Sequence, residues 1–469
     1  MELSLEAYRN IVKNVRSRAD IATLCRVSKG FQYVAERALY NTLYMHDIRT
    51  TMALCNTLAQ QSRVSSLVEA LTISLSASSG DGDESDEEEQ AEQAEDKEGE
   101  EEEEEGEEGE GEGEEEGEGE ESEELALALA MSLGSTLEPE HGPTSSTGNV
   151  GDPNSPEPAV GDLLMEYWNS ISSALRKTSA LKHLNIFVNG PFDTSNTWIF
   201  EGCEFQLRSF HCDLNWNDQL VNFLYTQVNL HDLFLIDYNE SSQESHTATS
   251  TVISSSIPIP TERPDTTTLT NTKMIDNTQF LPNLSKLECT FSEAALALVP
   301  NRPVTHLKTC FSRSDATEKR AELYLLFSRI RRSTRRLRSL DIADSSYTEA
   351  FSMEMLRTVV ATGATSAELR YLGTVVLPIG GQQRLKFYGL LMRLPRIACV
   401  EFEVTEWDPS PLATGAPAFK ALANELRLYC PTVTRVVFVH DFERTVISYT
   451  NGVGKLDLEI SPEILWRDV

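Results

Sequence analysis

The chain has 469 residues, 40% of them hydrophobic, and a formal net charge of −34. The charge is concentrated: Asp81 to Glu124 carries 29 acidic residues against one lysine, Lys97, a net of −28 that leaves −6 for everything else. Composition therefore describes a near-neutral globular protein with a polyanionic insert, which excludes a basic nucleic-acid binder. No apolar run is long enough to span a bilayer and no cleavable signal is present, so the expectation is a cytoplasmic or nuclear protein without a membrane partner. Eight cysteines occur without a C-x-x-C pair, and Cys25, Cys212, Cys289 and Cys399 lie in apolar segments, where cysteine acts as a small hydrophobe. Scattered histidines, no metal-ligand spacing and no glycine-rich nucleotide loop point to neither a cofactor nor an enzyme.

The first 45 residues hold three short helical patterns. Leu5, Tyr8, Ile11, Val12 and Val15 follow helical spacing and line one apolar face. Asp20 is the expected N-cap of a second helix carrying Ile21, Leu24, Cys25 and Val27. Gly30 punctuates, and Phe31, Val34, Ala35, Ala38 and Leu39 form a third stripe. Three helices this short cannot bury all their apolar surface among themselves and require a neighbour.

The order Leu3-x-Leu5-Glu6, Ile11-Val12, Asp20-Ile21-x-x-Leu24, Val27-Ser28-x-x-Phe31, Leu39-Tyr40 resembles an F-box, and more narrowly the divergent F-box-like domains of fungal proteins. The resemblance implies docking on the Skp adaptor of a Skp–cullin–F-box ubiquitin ligase through Leu3, Leu5, Ile11, Ile21, Leu24, Val27 and Phe31. Ser4 stands where that family usually has proline.

From Val68 onward the pattern apolar-x-x-apolar-x-apolar recurs ten times, starting at Val68, Leu181, Leu207, Leu230, Leu284, Val304, Leu337, Leu369, Ile397 and Val433. Alternate apolar residues predict strands with one buried face. Helical stretches such as Leu163–Lys177, Leu323–Arg332, Leu385–Leu394 and Phe419–Cys430 lie between them. Strand and helix repeated in this way predict an α/β solenoid, and the array resembles the irregular leucine-rich repeats that follow many F-boxes. A doubly wound α/β domain is the structural rival; it would want a glycine-rich phosphate loop, which is missing. The Asn451-Gly452 pair predicts a hairpin that closes the end of the array. His183, His211, His231 and His306 occupy outward positions of the pattern and are expected at the exposed surface.

The expected organisation is an F-box-like domain at 1–45, a linker helix and first strand at 46–75, a disordered acidic insert at 76–161, and the solenoid at 162–469. A second disordered loop, rich in Ser, Thr and Pro, spans 239–279.

Within the insert, ESEELALALAMSLGS (121–135) is the segment able to fold. Leu, Ala and Met favour helix, the acids at 121, 123 and 124 suit its N-terminus, and Gly134 suits its end. About three turns are marginal alone and order against a partner surface. The acidic cluster, the leucine and Ala-x-x-x-Ser in phase resemble a ubiquitin-interacting motif. That implies ubiquitin binding by Glu121, Glu123, Glu124, Leu125, Leu127, Ala128, Met131 and Ser132, with Ser135 where the motif commonly has an acid.

Six arginines in Arg329 to Arg338 are expected as a solvated helix face running into a strand. The resemblances together imply a non-catalytic adaptor that binds Skp, cullin, ubiquitin or ubiquitinated proteins, and a protein client. The alternatives are a ubiquitin-binding scaffold outside any ligase, or an acidic-tract binder of basic proteins such as histones.

Overall fold

The structure is a computed structural model that describes residues 4–76, 160–190, 192–236, 277–344, 346–407 and 416–469. The disorder expected at 76–161 and 239–279 and the helix expected over 121–135 lie outside these residues, except at their edges.

Three helices open the chain: Leu5–Lys13 (α1), Arg18–Leu24 (α2) and Lys29–Tyr40 (α3). Each begins on a serine. The Ser4, Ser17 and Ser28 hydroxyls accept from the N–H groups of Ala7, Asp20 and Phe31 at 3.2, 3.2 and 3.3 Å, covering donors that a helix start leaves unpaired. Asp20 is thus a first-turn residue, three positions after the cap, and not the cap itself. Ser4, the departure from the F-box pattern, is the cap of α1. Gly30 lies inside α3, where a Cβ would stand 2.5 Å from the Tyr8 ring; its absence lets α1 and α3 close together.

Among the described residues, thirteen strands then follow. They are Thr42–Met45 (β1), Ala70–Ser76 (β2), His183–Asn189 (β3), Ser209–Cys212 (β4), Asp232–Leu235 (β5), Lys286–Cys289 (β6), His306–Cys310 (β7), Ser339–Ala343 (β8), Tyr371–Val376 (β9), Cys399–Glu403 (β10), Arg435–His440 (β11), Glu443–Thr450 (β12) and Val453–Leu456 (β13). All form one sheet whose spatial order is the chain order. Neighbours from β1 to β11 are parallel. The last two strands turn back antiparallel, β12 on β11 and β13 on β12. Parallel neighbours need crossovers. Among these are the helices Ile48–Gln60 (α4), Ser62–Ser65 (α5), Val160–Leu175 (α6), Asp218–Thr226 (α7), Ser292–Leu298 (α8), Ala316–Ile330 (α9), Glu349–Ala361 (α10), Gly363–Ser366 (α11), Gly381–Leu391 (α12) and Ala416–Tyr429 (α13). An unbroken strand order has no reversal point, so the sheet is not doubly wound.

All ten apolar repeats form strands, β2 to β11. Their alternate residues enter one continuous core with the helices, for example Leu71, Ile73 and Leu75 of β2, Leu340 and Ile342 of β8, and Val436 and Phe438 of β11. The hairpin β12–β13 turns on Asn451 (φ 54°) and Gly452 (φ 81°), the left-handed pair that a two-residue turn requires. Residues 42–45, grouped by sequence with the helical unit, are the first strand of the sheet and pair with β2.

Opposite the helices, the chain covers part of the sheet itself. A 3₁₀ turn, Pro462–Arg467, lies on β7, β8 and β9. Leu465 and Trp466 form a second, smaller core there with Tyr371, Cys399, Val437, Val439 and Val446.

Candidate interaction surfaces

The helical unit at the front exposes apolar side chains. Leu5 is 44% exposed, Ile11 41%, Val27 61% and Tyr33 53%. Leu24 and Phe31 are half-buried against the core, with Phe31 edge-on to Tyr8 at 4.7 Å, while Ile21 is buried inside the unit. Leu3 lies outside the described residues. The seven residues expected to meet an adaptor therefore separate: Leu5, Ile11 and Val27 are open to a partner, and Ile21 positions the helices. Tyr33 joins the open set; its half-exposed place on α3 follows from helical phase relative to the buried Val34 and could have been read from the sequence.

One of these helices, α3, carries a buried carboxylate. Glu36 accepts from Gln32 at 3.0 Å and is ion-paired to Arg63 of α5. Burial, with Glu36 nearby, pushes the Cys25 thiol up to about 11 and the Tyr40 phenol up to about 12, so both stay protonated at neutral pH. Arg37 and Lys182 both bind Glu69, at 2.9 and 2.7 Å, tying the helical unit to the start of the sheet.

The residues expected to bind ubiquitin, Glu121, Glu123, Glu124, Leu125, Leu127, Ala128, Met131 and Ser132, lie outside the described residues.

The second surface is the strand face opposite the helices. Asp232 of β5 and Glu288 of β6 converge on the guanidinium of Arg467, the latter at 2.7 Å. Lys286 Nζ donates to the Arg467 carbonyl at 3.2 Å, and the His306 ring bonds the Val469 carbonyl at 3.1 Å. Although burial opposes it, bonds from His211 and Arg467 hold the Asp232 carboxyl below its ordinary value. His306 is pushed down, by burial above all, then by Lys286, Arg338 and Arg467. Of the four histidines expected at the surface, His183 and His231 are exposed and His211 is half-buried; His306 is buried, because the segment around Val469 covers it. Periodicity places a side chain on a face but says nothing of what later chain covers that face.

Next to Arg467 a charged group is closed off from water. Asp341 (β8) and Glu401 (β10) lie on the same face with Lys308, Tyr371 and Arg444. The Tyr371 hydroxyl donates to Glu401, Thr374 donates to it at 3.1 Å, and Arg444 stands 3.8 Å away. Burial, reinforced by Glu401, raises the Asp341 carboxyl to about 7 against the pull of Lys308 and Arg444. Gly373 makes the arrangement possible, since a Cβ there would fall 1.8 Å from Asp341 Oδ1. Toward β3 the same face is open. Lys182, His183, Arg208, His231 and Lys286 line a depression of about 860 Å³.

Among the described residues no group of three His, Cys, Asp or Glu side chains is placed to hold a metal, and no helix is long and apolar enough to cross a membrane. The eight cysteines are unpaired. The described Arg331, Arg335, Arg336 and Arg338 are exposed at the end of α9 and the approach to β8. Compared with known protein families, the sequence matches no family model, and no curated protein aligns with it significantly. Fold and surface chemistry thus carry the functional argument: a mixed α/β protein built on one 13-stranded, mostly parallel sheet, with an apolar helical unit at its front edge.

Proposed function

We propose that this chain is a non-catalytic, substrate-recruiting adaptor of a Skp–cullin–F-box ubiquitin ligase. In this reading α1 to α3 are the F-box-like domain, the sheet and its helices are an irregular leucine-rich-repeat solenoid that holds a protein client, and the acidic insert contributes a ubiquitin-binding helix near Ala128. The observation that carries it is the exposure of Leu5, Ile11, Val27 and Tyr33 on a three-helix unit whose Val12, Ile21, Val34 and Leu39 are buried. Such a cluster in a monomer is a place for a partner. Sequential parallel strands joined by helices support the solenoid part, because each strand then pairs with its neighbours in chain order. Unpaired cysteines suit a reducing compartment, the cytoplasm or nucleus.

A single ubiquitin helix buries little area; a Kd of ~100 μM corresponds to about −5.5 kcal/mol. Retention of a modified client then draws on avidity, with the solenoid and the helix engaging the same molecule. Tagged purification with mass spectrometry tests the reading. Wild type recovers Skp adaptor and cullin, and the Leu5→Asp, Ile11→Asp double variant loses both; recovery of neither by wild type rejects it.

A further inference from the structure

The segment Ser461–Val469 sits on the strand face as a separate peptide would. Its backbone bonds are local, Ile464 N–H to the Ser461 carbonyl and Asp468 N–H to the Leu465 carbonyl. Its ties to the sheet run through side chains: Arg467 to Asp232 and Glu288, Lys286 and His306 to its carbonyls, and Leu465 with Trp466 in the pocket of Tyr371, Cys399, Val437, Val439 and Val446. Two carboxylates on adjacent strands aimed at one planar guanidinium form a fork that selects arginine over lysine. The Trp466 ring is flanked by cations, Arg467 at 4.5 Å and Lys308 at 6.0 Å.

The fit is incomplete. Trp466 Nε1 and Ser339 Oγ are buried without a hydrogen-bond partner among the described residues, which costs stability that a better ligand recovers. Beyond Arg467 the face continues, unfilled, into the depression of Lys182, Arg208 and Lys286, which a longer peptide reaches and this segment does not fill.

We infer that the strand face over β5 to β11 is a peptide-binding groove, that Ser461–Val469 is its built-in occupant, and that the ligand which displaces it is a protein segment with an aromatic residue directly before an arginine. The inference deepens the adaptor reading by giving the chemistry of the client, and rests on that reading only in calling the ligand a client. A tethered occupant competes at an effective concentration in the millimolar range, so the groove is closed to weak ligands and open to those with added contacts.

The test uses the full chain and a labelled nonapeptide with the sequence of residues 461–469. Wild type binds it weakly. Chains carrying Arg467→Glu, or separately Trp466→Ala, lose their own occupant and bind the peptide at least 10-fold tighter, while still melting in one cooperative transition at a lowered temperature. Adding Asp232→Asn and Glu288→Gln to either chain abolishes that binding, as does glutamate in place of arginine in the peptide. The inference is overturned if both folded variants bind the peptide no tighter than wild type, or if binding survives removal of the two carboxylates. Skp adaptor binding by the same chains, measured in parallel, separates failure of the groove from failure of the adaptor reading.

Discussion

Arg467 meets Glu288 at 2.7 Å across 179 positions of sequence, and the same guanidinium binds Asp232 on the neighbouring strand. One side chain thereby joins the end of the described chain to the middle of the sheet. All three groups are largely shielded from water, so removing the cation leaves two half-buried carboxylates facing each other. Arg467→Ala is expected to lower stability by about 1–3 kcal/mol in chemical denaturation. Its effect is non-additive with that of Glu288→Gln, which a double-mutant cycle measures.

Asp341 gives the sheet a pH dependence of defined sign. Its carboxyl lies at about 7 when folded and near 3.8 otherwise, so the folded chain holds the extra proton between those values. This contribution is fully present below pH 3.8 and is lost as pH rises through 7. Asp341→Asn keeps a neutral side chain throughout. Thermal melts at pH 5 and pH 8 should show the variant gaining on wild type at the higher pH. An identical pH profile for both chains contradicts the assignment.

Gly373 is the steric condition for that buried acid. Alanine there would meet Asp341 Oδ1 at 1.8 Å and the Asp341 backbone at 2.7 Å, so something must move. Gly373→Ala is expected to destabilise by about 3 kcal/mol, at the upper end of ordinary overpacking costs. Combining it with Asp341→Ala removes the nearer clash and recovers part of the loss.

Much of this fold was legible because a strand backed by helices must alternate its apolar residues. The repeats at Val68 through Val433 carry that alternation, and Asn451-Gly452 carries its turn in two residues. Thr42–Met45 was not legible: four residues of mixed polarity, directly after a helix, become a strand only because β2 offers them an edge. Asp20 suits a cap by residue type, whereas the helix starts earlier, where the Ser17 hydroxyl accepts from the Asp20 N–H. The strand-face site was hidden for another reason. Asp232, Glu288, Lys308, Asp341 and Glu401 stand at outward positions of the repeat, which periodicity alone does not distinguish from open surface. What buries or pairs them, Trp466, Arg467 and Arg444, comes from beyond the last parallel strand.

The ubiquitin-binding role proposed for the segment around Ala128 makes a separate prediction. Titrating labelled chain with excess ubiquitin should shift resonances of residues 121–135, with an affinity on the order of 100 μM, and Ala128→Gln should weaken it at least tenfold. Unshifted resonances in wild type remove ubiquitin binding from the account and leave the helical unit untouched.

Leu5 and Ile11 give the most direct measurement. The purified chain is mixed with purified Skp adaptor and passed over a sizing column, beside the Leu5→Asp, Ile11→Asp variant, whose melting temperature is expected to match because both side chains are more than 40% exposed. The account predicts a one-to-one complex for wild type and two separate peaks for the variant. Separate peaks for wild type, or an undiminished complex with the variant, would contradict it.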